Sequence, residues 1–388
     1  MSELEQPSAV EEHDTDNSPA EPLTTRTARG IRDFVDRIAD SSPARLAVIV
    51  FVIVDLGFAL LLWLPVSAQH GRHTDFADAV FTATSAVTVT GLTTVSTAAQ
   101  WSLFGQVVIL VAIQVGGLGT LTMTSILALA IGRKLGLKSK LITQEALNIG
   151  RLGEVGSLLQ IIVITSITIE AALAVVLSVG FLAEGEPLGT ALWHGVFYAV
   201  SSFNNAGFTP HTDGLVPYDH AGPTVWLILL PVCVGVVMGS LGFPVILVLR
   251  QVGFRFNRWN LNAKLTVVTT AILLLLAWVL FLAVEWNNPE TLGGKSVPER
   301  IFQGFFASVM MRSGGFNLVD MPDTSQVTLL LTDAMMFAGG GSASTAGGIK
   351  VTTLAVVFLA ILAEARGDQS VIAFFRTTRT PCCASRSP

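Results

Sequence analysis

The stretch FTATSAVTVTGLTT at residues 81–94 occurs twice more in altered form, as FYAVSSFNNAGFTP at 197–210 and as FFASVMMRSGGFNL at 305–318. All three contain phenylalanine, any residue, alanine, seven further residues, glycine, and then leucine or phenylalanine. One template at three places predicts an internal repeat with a period of about 110 residues. The alternative is that three unrelated amphipathic connectors share the template.

The sequence around these stretches is typical of a membrane protein. Hydrophobic residues make up 51% of the 388 residues and charged residues only 13%, with a mean hydropathy of +0.63, whereas soluble domains carry about a quarter charged residues. A run of about 20 apolar residues can span a bilayer. Six runs have this character: 46–68, 103–131, 158–182, 225–249, 265–285 and 329–362. Because each repeated stretch lies between the two runs of a pair, we predict an all-α integral membrane protein made of repeated units of helix, re-entrant pore loop and helix.

The charge distribution indicates the topology. Lysine and arginine cluster before the first apolar run and after the second, fourth and sixth, whereas the stretches with the template carry fewer. Because basic residues stay in the cytoplasm, we predict a multi-pass protein of the cell (inner or plasma) membrane, with a cytoplasmic N-terminus and loops that enter from outside. Membrane lipid is then an expected partner.

Other classes of protein find no support in the sequence. The formal net charge of −5 and the scattered basic clusters leave no nucleic-acid footprint. No Ser-His-Asp set or HExxH motif occurs, and Cys233, Cys382 and Cys383 have neither a disulfide nor a zinc spacing. We therefore predict no enzyme, no resident metal and no organic cofactor. The first 25 or so residues are acidic, rich in serine and proline and without an apolar stretch, which predicts a disordered tail rather than a signal peptide.

The repeated loops have the composition of an ion filter. A loop at membrane depth must pair its backbone polar groups with protein, water or ions. Backbone carbonyls that converge on one axis replace the hydration shell of an alkali cation, and glycine lets several backbones crowd there. The first loop, TVTGL at 88–92, resembles a degenerate potassium-channel filter. The predicted ion-binding residues are Thr88, Val89, Thr90, Gly91, Asn204, Asn205, Ala206, Gly207, Ser313, Gly314 and Gly315.

Arg312 is an unexpected member of the third loop, because a cation path should not face a guanidinium group. We place it behind the filter, paired with a carbonyl or a carboxylate. Asp320 and Glu299 are the candidate carboxylates, between which the sequence does not choose.

Three acidic residues lie within apolar runs. Charge inside a membrane is costly and mostly functional, so Asp55, Glu170 and Asp333 are candidate ion-coupling residues. The alternatives are that Asp55 and Glu170 pair with serine or threonine neighbours and that Asp333 lies near a wet vestibule.

The sixth apolar run is interrupted by GGGSASTAGG at 339–348. Ten small residues cannot hold a regular lipid-facing helix, since glycine costs about 1 kcal/mol relative to alanine, and broken helices at membrane depth usually line the conduction path. We interpret this segment as a mobile intramembrane gate below the filter. The alternatives are close helix packing and a phosphate-binding loop, whose GxxxxGK[ST] pattern is absent. The gate residues are Gly339, Gly340, Gly341, Ser342, Ala343, Ser344, Thr345, Ala346, Gly347, Gly348 and Lys350.

The second and fourth runs carry glycines at the position that matches this break. QVGGLGT contains Gly116, Gly117 and Gly119, and GSLGF contains Gly239 and Gly242. Small residues let helices approach closely. We interpret most of these residues as packing glycines.

Five motifs in a fixed order point to a known family. TSAVTVTGLTT, QVGGLGT, SSFNNAGF, SVMMRSGGFN and GGGSASTAGGIKVTT follow one another within residues 45–367. With them the chain closely resembles the Trk/Ktr/HKT superfamily of potassium transporters, nearest the Ktr-type membrane (ion-translocating) subunit. The resemblance implies uptake of potassium ion, often dependent on sodium ion, through a pore of four repeats around a pseudo-fourfold axis. It also implies a homodimer on a cytosolic ring of nucleotide-binding regulatory subunits.

The resemblance also implies an ion preference. In that family, glycine at the filter position of every repeat accompanies potassium selectivity, and serine in the first repeat accompanies sodium permeation. Gly91, Gly207 and Gly315 all match glycine. Potassium is therefore the expected ion.

The chain departs from the family pattern in its gating loop and in its length. Gly341, Ser342 and Ala343 stand where the commoner pattern reads Ser, Pro and Gly, and two methionines at 310–311 replace a small polar pair. A fourth filter glycine is expected near position 425, beyond Pro388, so we predict three of the four repeats. The alternative to ion uptake is a non-conducting, truncated membrane scaffold that docks the cytosolic regulatory subunits.

The repeats divide the chain into five predicted segments. Residues 1–44 form the tail and a basic cytosolic flank, 45–140 the first repeat, 141–260 the second, and 261–367 the third with its broken last helix. The composition changes abruptly after about Phe374, so we predict an aberrant or truncated tail at 368–388.

Overall fold

The computed structural model describes residues 43–134, 155–218, 222, 225–367, 371–373 and 376–378. The predicted disordered tail and most of segment 368–388 lie outside the described residues. The chain divides into two units, Met1–Val50 and Phe51–Pro388. The described residues of the first unit are the first turns of helix α1, and every contact discussed below lies within the second unit.

Helices form about two thirds of the described part. Lipid favours them because a helix satisfies its own backbone hydrogen bonds. They are α1 (Pro43–Trp63), α2 (Phe76–Val87), α3 (Thr97–Gln100), α4 (Leu103–Lys134), α5 (Val155–Ala183), α6 (Leu188–Phe203), α7 (Trp226–Leu241), α8 (Phe243–Val252), α9 (Leu261–Glu285), α10 (Val297–Met310), α11 (Gln326–Phe337) and α12 (Val351–Arg366).

A short hairpin follows the last helix. Strands β1 (Val371–Ala373) and β2 (Arg376–Thr378) pair antiparallel, with Ile372 opposite Thr377. The all-α prediction did not include them. Their content of valine, isoleucine and threonine suits a strand.

Several described helices have the length and apolarity of membrane spans. Gln160–Ala183 and Leu261–Glu285 are each long and apolar enough to cross a membrane, and the bent pair α7–α8 would make a third span. Shorter apolar segments, Val48–Trp63 and Leu103–Gly119, form parts of α1 and α4. All lie within or overlap the predicted apolar runs.

The fourth apolar run differs from the prediction. The sequence predicts one span over 225–249, whereas α7 and α8 meet at 101°. Gly242 lies at the bend with φ +82°, and a Cβ there would lie 2.5 Å from the carbonyl oxygen of Ser342. The amide of Phe243 donates to the carbonyl of Ala343 at 3.0 Å. The bend thus depends on a loop about 100 residues away in the chain, which the local apolar pattern does not reveal.

The break predicted in the sixth run is present between α11 and α12. Residues 338–350 are non-helical, and Ala338 and Ile349 form a parallel bridge. Gly339 N–H donates to the carbonyl of Ile349 at 2.9 Å, and Val351 N–H donates to that of Gly340 at 3.0 Å. These bonds satisfy backbone groups that an unpaired loop would leave exposed to hydrocarbon.

The three short helices α2, α6 and α10 hold the loops in place. Helix α2 packs on α4, α6 on α5 and α7, and α10 on α9. The buried aromatic residues Phe197, Tyr198 and Phe306 lie on α6 and α10 at 0–1% exposure. Such burial fixes the half-helices as rigid supports for the loops that follow them.

Glu285 joins the ends of the third helical pair. It is fully buried at the end of α9, and its carboxylate accepts hydrogen bonds from Ser325 N–H at 2.9 Å, from Asn288 at 2.7 Å and from the Thr291 hydroxyl at 2.8 Å. The Thr328 hydroxyl donates as well. One carboxylate therefore connects α9, the following turn and the start of α11.

We expect Glu285→Gln to lower the free energy of unfolding by about 2 kcal/mol, because the amide group of glutamine faces donors and leaves buried groups unpaired. Thermal or denaturant unfolding in detergent measures this. Glu290→Gln, at an exposed position five residues away, is the matched control and should change stability little. Equal stability of the two variants would contradict the role of the Glu285 carboxylate in joining α9 to α11.

Candidate functional site

The predicted filter residues follow the C-terminal ends of the three half-helices. Helices α2, α6 and α10 end at Val87, Phe203 and Met310. Unpaired carbonyls give a helix C-terminus a partial negative charge of about half an electron. Each loop therefore begins at an end that favours a cation.

The three loops repeat one backbone conformation. In each, two residues in the left-handed region are separated by one other residue. They are Val89 (φ +54°) and Gly91 (+82°), Asn205 (+57°) and Gly207 (+72°), and Ser313 (+74°) and Gly315 (+77°). The C-terminal ends of α2 and α6 also form equivalent hydrogen bonds. Thr90 N–H donates to Ser85 O and Ala206 N–H donates to Ser201 O, both at 2.8 Å. The three stretches that share the sequence template thus also share a backbone conformation.

Val89 carries backbone strain. A β-branched residue in the left-handed region costs about 1–2 kcal/mol. The side chain is buried, at 9% exposure, in the core that also holds Val87 and Ala206. Packing therefore holds this conformation in the first loop, where the second and third loops have Asn205 and Ser313.

The three template glycines line one cavity. Gly91, Gly207 and Gly315 meet at an open vestibule of about 730 Å³. Asp213 and Asp320 line the same vestibule, and both are exposed. Two carboxylates at the mouth of a cavity raise the local concentration of cations.

His211 also lines the vestibule. Burial of its ring, together with the neighbouring His194, lowers the pKa of His211 below its usual value. The ring is therefore neutral at pH 7, since a lowered histidine pKa leaves the uncharged form dominant above it. It adds no positive charge to the mouth.

The loops touch one another at the glycines. A Cβ on Gly207 would lie 3.1 Å from the Cα of Gly315, and the reverse substitution would make the same contact. A Cβ on Gly91 would overlap the carbonyl oxygen of Ala206. Any side chain at these positions would therefore displace a neighbouring backbone.

Two glycines of the second and fourth runs pack against the ends of the half-helices that carry these loops. A Cβ on Gly116 would overlap the Val87 carbonyl, and one on Gly239 would overlap the Phe203 carbonyl. The prediction of packing glycines is confirmed for these two, whereas Gly242 forms the bend between α7 and α8.

A second cavity, of about 360 Å³, lies between the first and third loops and the segment 338–350. The filter residues Thr88, Val89, Thr90 and Ser313 line it from one side. Ser344, Thr345, Ala346, Gly347 and Lys350 line it from the other. The Lys350 ammonium donates to the Ala346 carbonyl at 2.8 Å. The predicted gate residues thus lie next to the predicted filter residues, with a positive charge among them.

Hydrogen bonds to neighbouring elements hold segment 338–350 in this place. Asn205 Nδ2 donates to the Thr345 hydroxyl at 2.8 Å, and Gly347 N–H donates to the Ser313 hydroxyl at 3.2 Å. Gly341 N–H donates to the Ser240 carbonyl at 2.8 Å. The segment is therefore bonded to the second loop, to the third loop and to the end of α7.

Arg312 lies behind the third loop and pairs with carbonyls, which were one of the two predicted kinds of partner. It is 3% exposed, and its guanidinium donates to Gly339 O at 2.6 Å and to Thr270 O at 3.3 Å. The candidates Glu299 and Asp320 are wrong. Glu299 caps α10 by accepting from Ser296, and Asp320 is exposed at the vestibule. The arginine instead joins the third loop to the start of the segment 338–350.

The acidic residues of the apolar runs differ from one another. Asp55 accepts a hydrogen bond from the Thr84 hydroxyl at 2.9 Å, which confirms threonine pairing. Glu170 is buried and accepts from Asn204 Nδ2 at 3.1 Å, so its partner is a filter residue rather than serine or threonine. Asp333 is exposed on α11. Two of the three carboxylates therefore support the half-helices or loops.

Sequence reasoning missed the residues that line the mouth. Asp213 and His211 follow the second loop within seven residues of Gly207. Because the chain is otherwise poor in charged residues, these polar side chains could have indicated the mouth of the cavity. Glu285 was missed because it lies at the very end of an apolar run.

The chain is similar in sequence to known cation transport proteins. The sequence model of the TrkH family, described as cation transport protein, matches residues 39–379. The chain is 36% identical to the Ktr system potassium uptake protein B of Bacillus subtilis, over 87% of this chain and 74% of that protein. It is 38% identical to the potassium/sodium uptake protein NtpJ of Enterococcus hirae, over 87% of this chain and 73% of that protein.

A solved structure shares the fold. The potassium transporter TrkH from Vibrio parahaemolyticus superposes with a TM-score of 0.59 at 20% identity. The match covers 81% of this chain and 62% of the solved chain.

Proposed function

Since the chain belongs to the TrkH family of cation transport proteins, we propose that it is an ion-conducting membrane subunit that takes up potassium. Because this family consists of transporters, the prediction that the chain is not an enzyme is confirmed. The observation that carries the proposal is that Gly91, Gly207 and Gly315 converge on one vestibule. The residues just before these glycines in the first and third loops line a second cavity. A cation would pass between the two along the loops.

The chemistry of the loops supports a cation rather than an anion. Each loop starts at the negative end of a half-helix, and the vestibule carries Asp213 and Asp320. Backbone carbonyls of crowded loops replace water around an alkali ion. Repulsion among converging carbonyls would be relieved by the ion itself.

Potassium is the proposed ion because two relatives are named for potassium uptake or potassium/sodium uptake and because all three filter positions are glycine. Segment 338–350 is the proposed gate. It borders the cavity next to the filter and is bonded to the filter residues Asn205 and Ser313. A displacement of this segment would open the cavity.

The remaining features are predictions of the family resemblance. They are sodium dependence, a pseudo-fourfold pore, a homodimer and a cytosolic ring of regulatory subunits. The membrane is proposed to be the plasma membrane, with the vestibule outside, because lysine and arginine cluster in the connectors at the opposite ends of the helices.

Rubidium uptake into liposomes that hold the purified chain tests the proposal. We expect uptake above that of empty liposomes, abolished by excess potassium and weakened much less by equal sodium. Assays with and without external sodium test sodium dependence. A correctly inserted, folded chain that takes up no rubidium would contradict conduction and favour the scaffold.

A further inference from the structure

Five polar side chains gather beside the vestibule, where the second loop leaves its half-helix. Glu186 precedes α6, His194 and Tyr198 lie on α6, and His211 and Tyr218 follow the second loop. The carboxylate of Glu186 lies 2.7 Å from His194 Nδ1 and 3.2 Å from His211 Nε2. One ligand atom from each of these three residues lies within 4.8 Å of the other two.

We propose that Glu186, His194 and His211 form a binding site for a divalent transition-metal ion of the zinc class. Two imidazoles and one carboxylate are a ligand set that zinc takes, with a fourth position for water. In tetrahedral geometry, metal–ligand distances of about 2.0–2.2 Å place such ligands about 3.3–3.6 Å apart. The 3.2 Å between Glu186 and His211 is close to that spacing, and the 2.7 Å between Glu186 and His194 is a hydrogen-bond distance that a bound metal would widen.

Neighbouring hydroxyl groups orient His211 for a metal. The Tyr198 hydroxyl lies 2.9 Å from His211 Nδ1 and 3.4 Å from the Gly214 carbonyl. When the Tyr198 hydroxyl donates to the Gly214 carbonyl, its oxygen is left to accept a hydrogen bond from His211 Nδ1–H. The other ring nitrogen, Nε2, then has a lone pair, and this lone pair faces Glu186. Fixing one ring nitrogen by an outer hydrogen bond is the usual support of a metal-bound histidine.

With the proton of His211 on Nδ1, the cluster is short of one hydrogen without a cation; with the proton on Nε2, that N–H donates to Glu186 instead. Tyr218 has a single hydroxyl hydrogen, and its oxygen lies 3.0 Å from Glu186 Oε1 and 3.2 Å from His211 Nε2. Two acceptor lone pairs therefore share one donor in a half-buried site, where the side chains of Glu186 and His211 are 17% and 20% exposed. A metal ion between the two acceptors satisfies both.

The site would act on the second loop. Its ligands come from both sides of the filter residues 204–207, so a bound metal would join the start of α6 to the segment after Gly207. With neutral imidazoles, a divalent ion and one carboxylate leave a net positive charge beside the mouth. If the proposed conduction is correct, zinc added on the vestibule side should lower rubidium uptake.

Zinc binding to the purified full chain tests the site without any transport assay. Metal is removed with a chelator, and binding of zinc alone is measured by equilibrium dialysis in a background with Cys382→Ser and Cys383→Ser, since free thiolates also bind zinc. We expect one zinc ion per chain. His194→Ala and His211→Ala should each weaken affinity by more than about 100-fold, and Tyr198→Phe by about tenfold, as for outer-shell partners.

His73→Ala, at an exposed histidine outside the cluster, is the matched control and should bind zinc as the parent does. His211→Gln, with its elution volume checked, separates loss of a ligand from loss of folding. Absence of zinc binding in the parent, or unchanged affinity in folded His194 and His211 variants, would overturn the proposal. Because the assay measures zinc binding and not transport, it can support the metal site even if the chain does not conduct ions.

Discussion

Gly91→Ser is expected to lower the preference for potassium over sodium by at least about tenfold, a change of about 1.4 kcal/mol in relative affinity. Gly91 has φ +82°, and a Cβ there would overlap the carbonyl oxygen of Ala206. The substitution therefore strains its own backbone and pushes aside a carbonyl of the neighbouring loop. An ion site made of carbonyls loses selectivity when their spacing and number change.

Gly71→Ser is the matched control. Gly71 has a similar φ of +79°, but a Cβ there meets nothing within 4 Å. Gly71→Ser thus introduces the same backbone strain at a position outside the three loops. Rubidium uptake in competition with potassium and with sodium gives the selectivity of both variants. Equal selectivity of the two variants and the parent would show that the contact between the first and second loops does not set ion preference.

Lys350→Met is expected to raise the rate of rubidium uptake about tenfold. The Lys350 ammonium donates to the Ala346 carbonyl and lines the cavity next to Thr88, Val89 and Thr90. A fixed positive charge about 4 Å from a passing cation costs up to about 4 kcal/mol at an effective dielectric constant of 20. Methionine keeps most of the volume and removes both the charge and the hydrogen bond to Ala346 within the segment.

Lys264→Met serves as the control for this second prediction. Lys264 is a half-buried lysine whose ammonium lies 5.2 Å from the Phe256 ring, away from both cavities. Its removal should leave uptake unchanged at equal amounts of inserted protein. If Lys350→Met transports no faster than Lys264→Met, segment 338–350 does not oppose conduction through this charge.

Local sequence predicted most of the helical architecture. Apolar runs placed α1, α4, α5 and α9, because a spanning helix must be apolar throughout. The glycine-rich stretch at 339–348 predicted the break between α11 and α12, since ten small residues do not hold a helix. The repeated template predicted the three loops, which the shared left-handed residues now show in the backbone.

The missed features depend on contacts between distant residues. The bend at Gly242 is bonded through Phe243 N–H to the carbonyl of Ala343, and the Arg312 site needs the carbonyls of Gly339 and Thr270. A carbonyl partner leaves no trace in side-chain composition, so the sequence allowed a carbonyl or a carboxylate and named only carboxylate candidates. The cluster of Glu186, His194 and His211 was missed because its members lie up to 25 residues apart in the sequence.

Anomalous diffraction from crystals soaked in rubidium or thallium salts would test the central claim most directly. We predict an ion peak within bonding distance of backbone carbonyls next to Gly91, Gly207 and Gly315, and its loss or displacement in Gly91→Ser. Ion peaks confined to other parts of the molecule, with none between these three loops, would contradict the account.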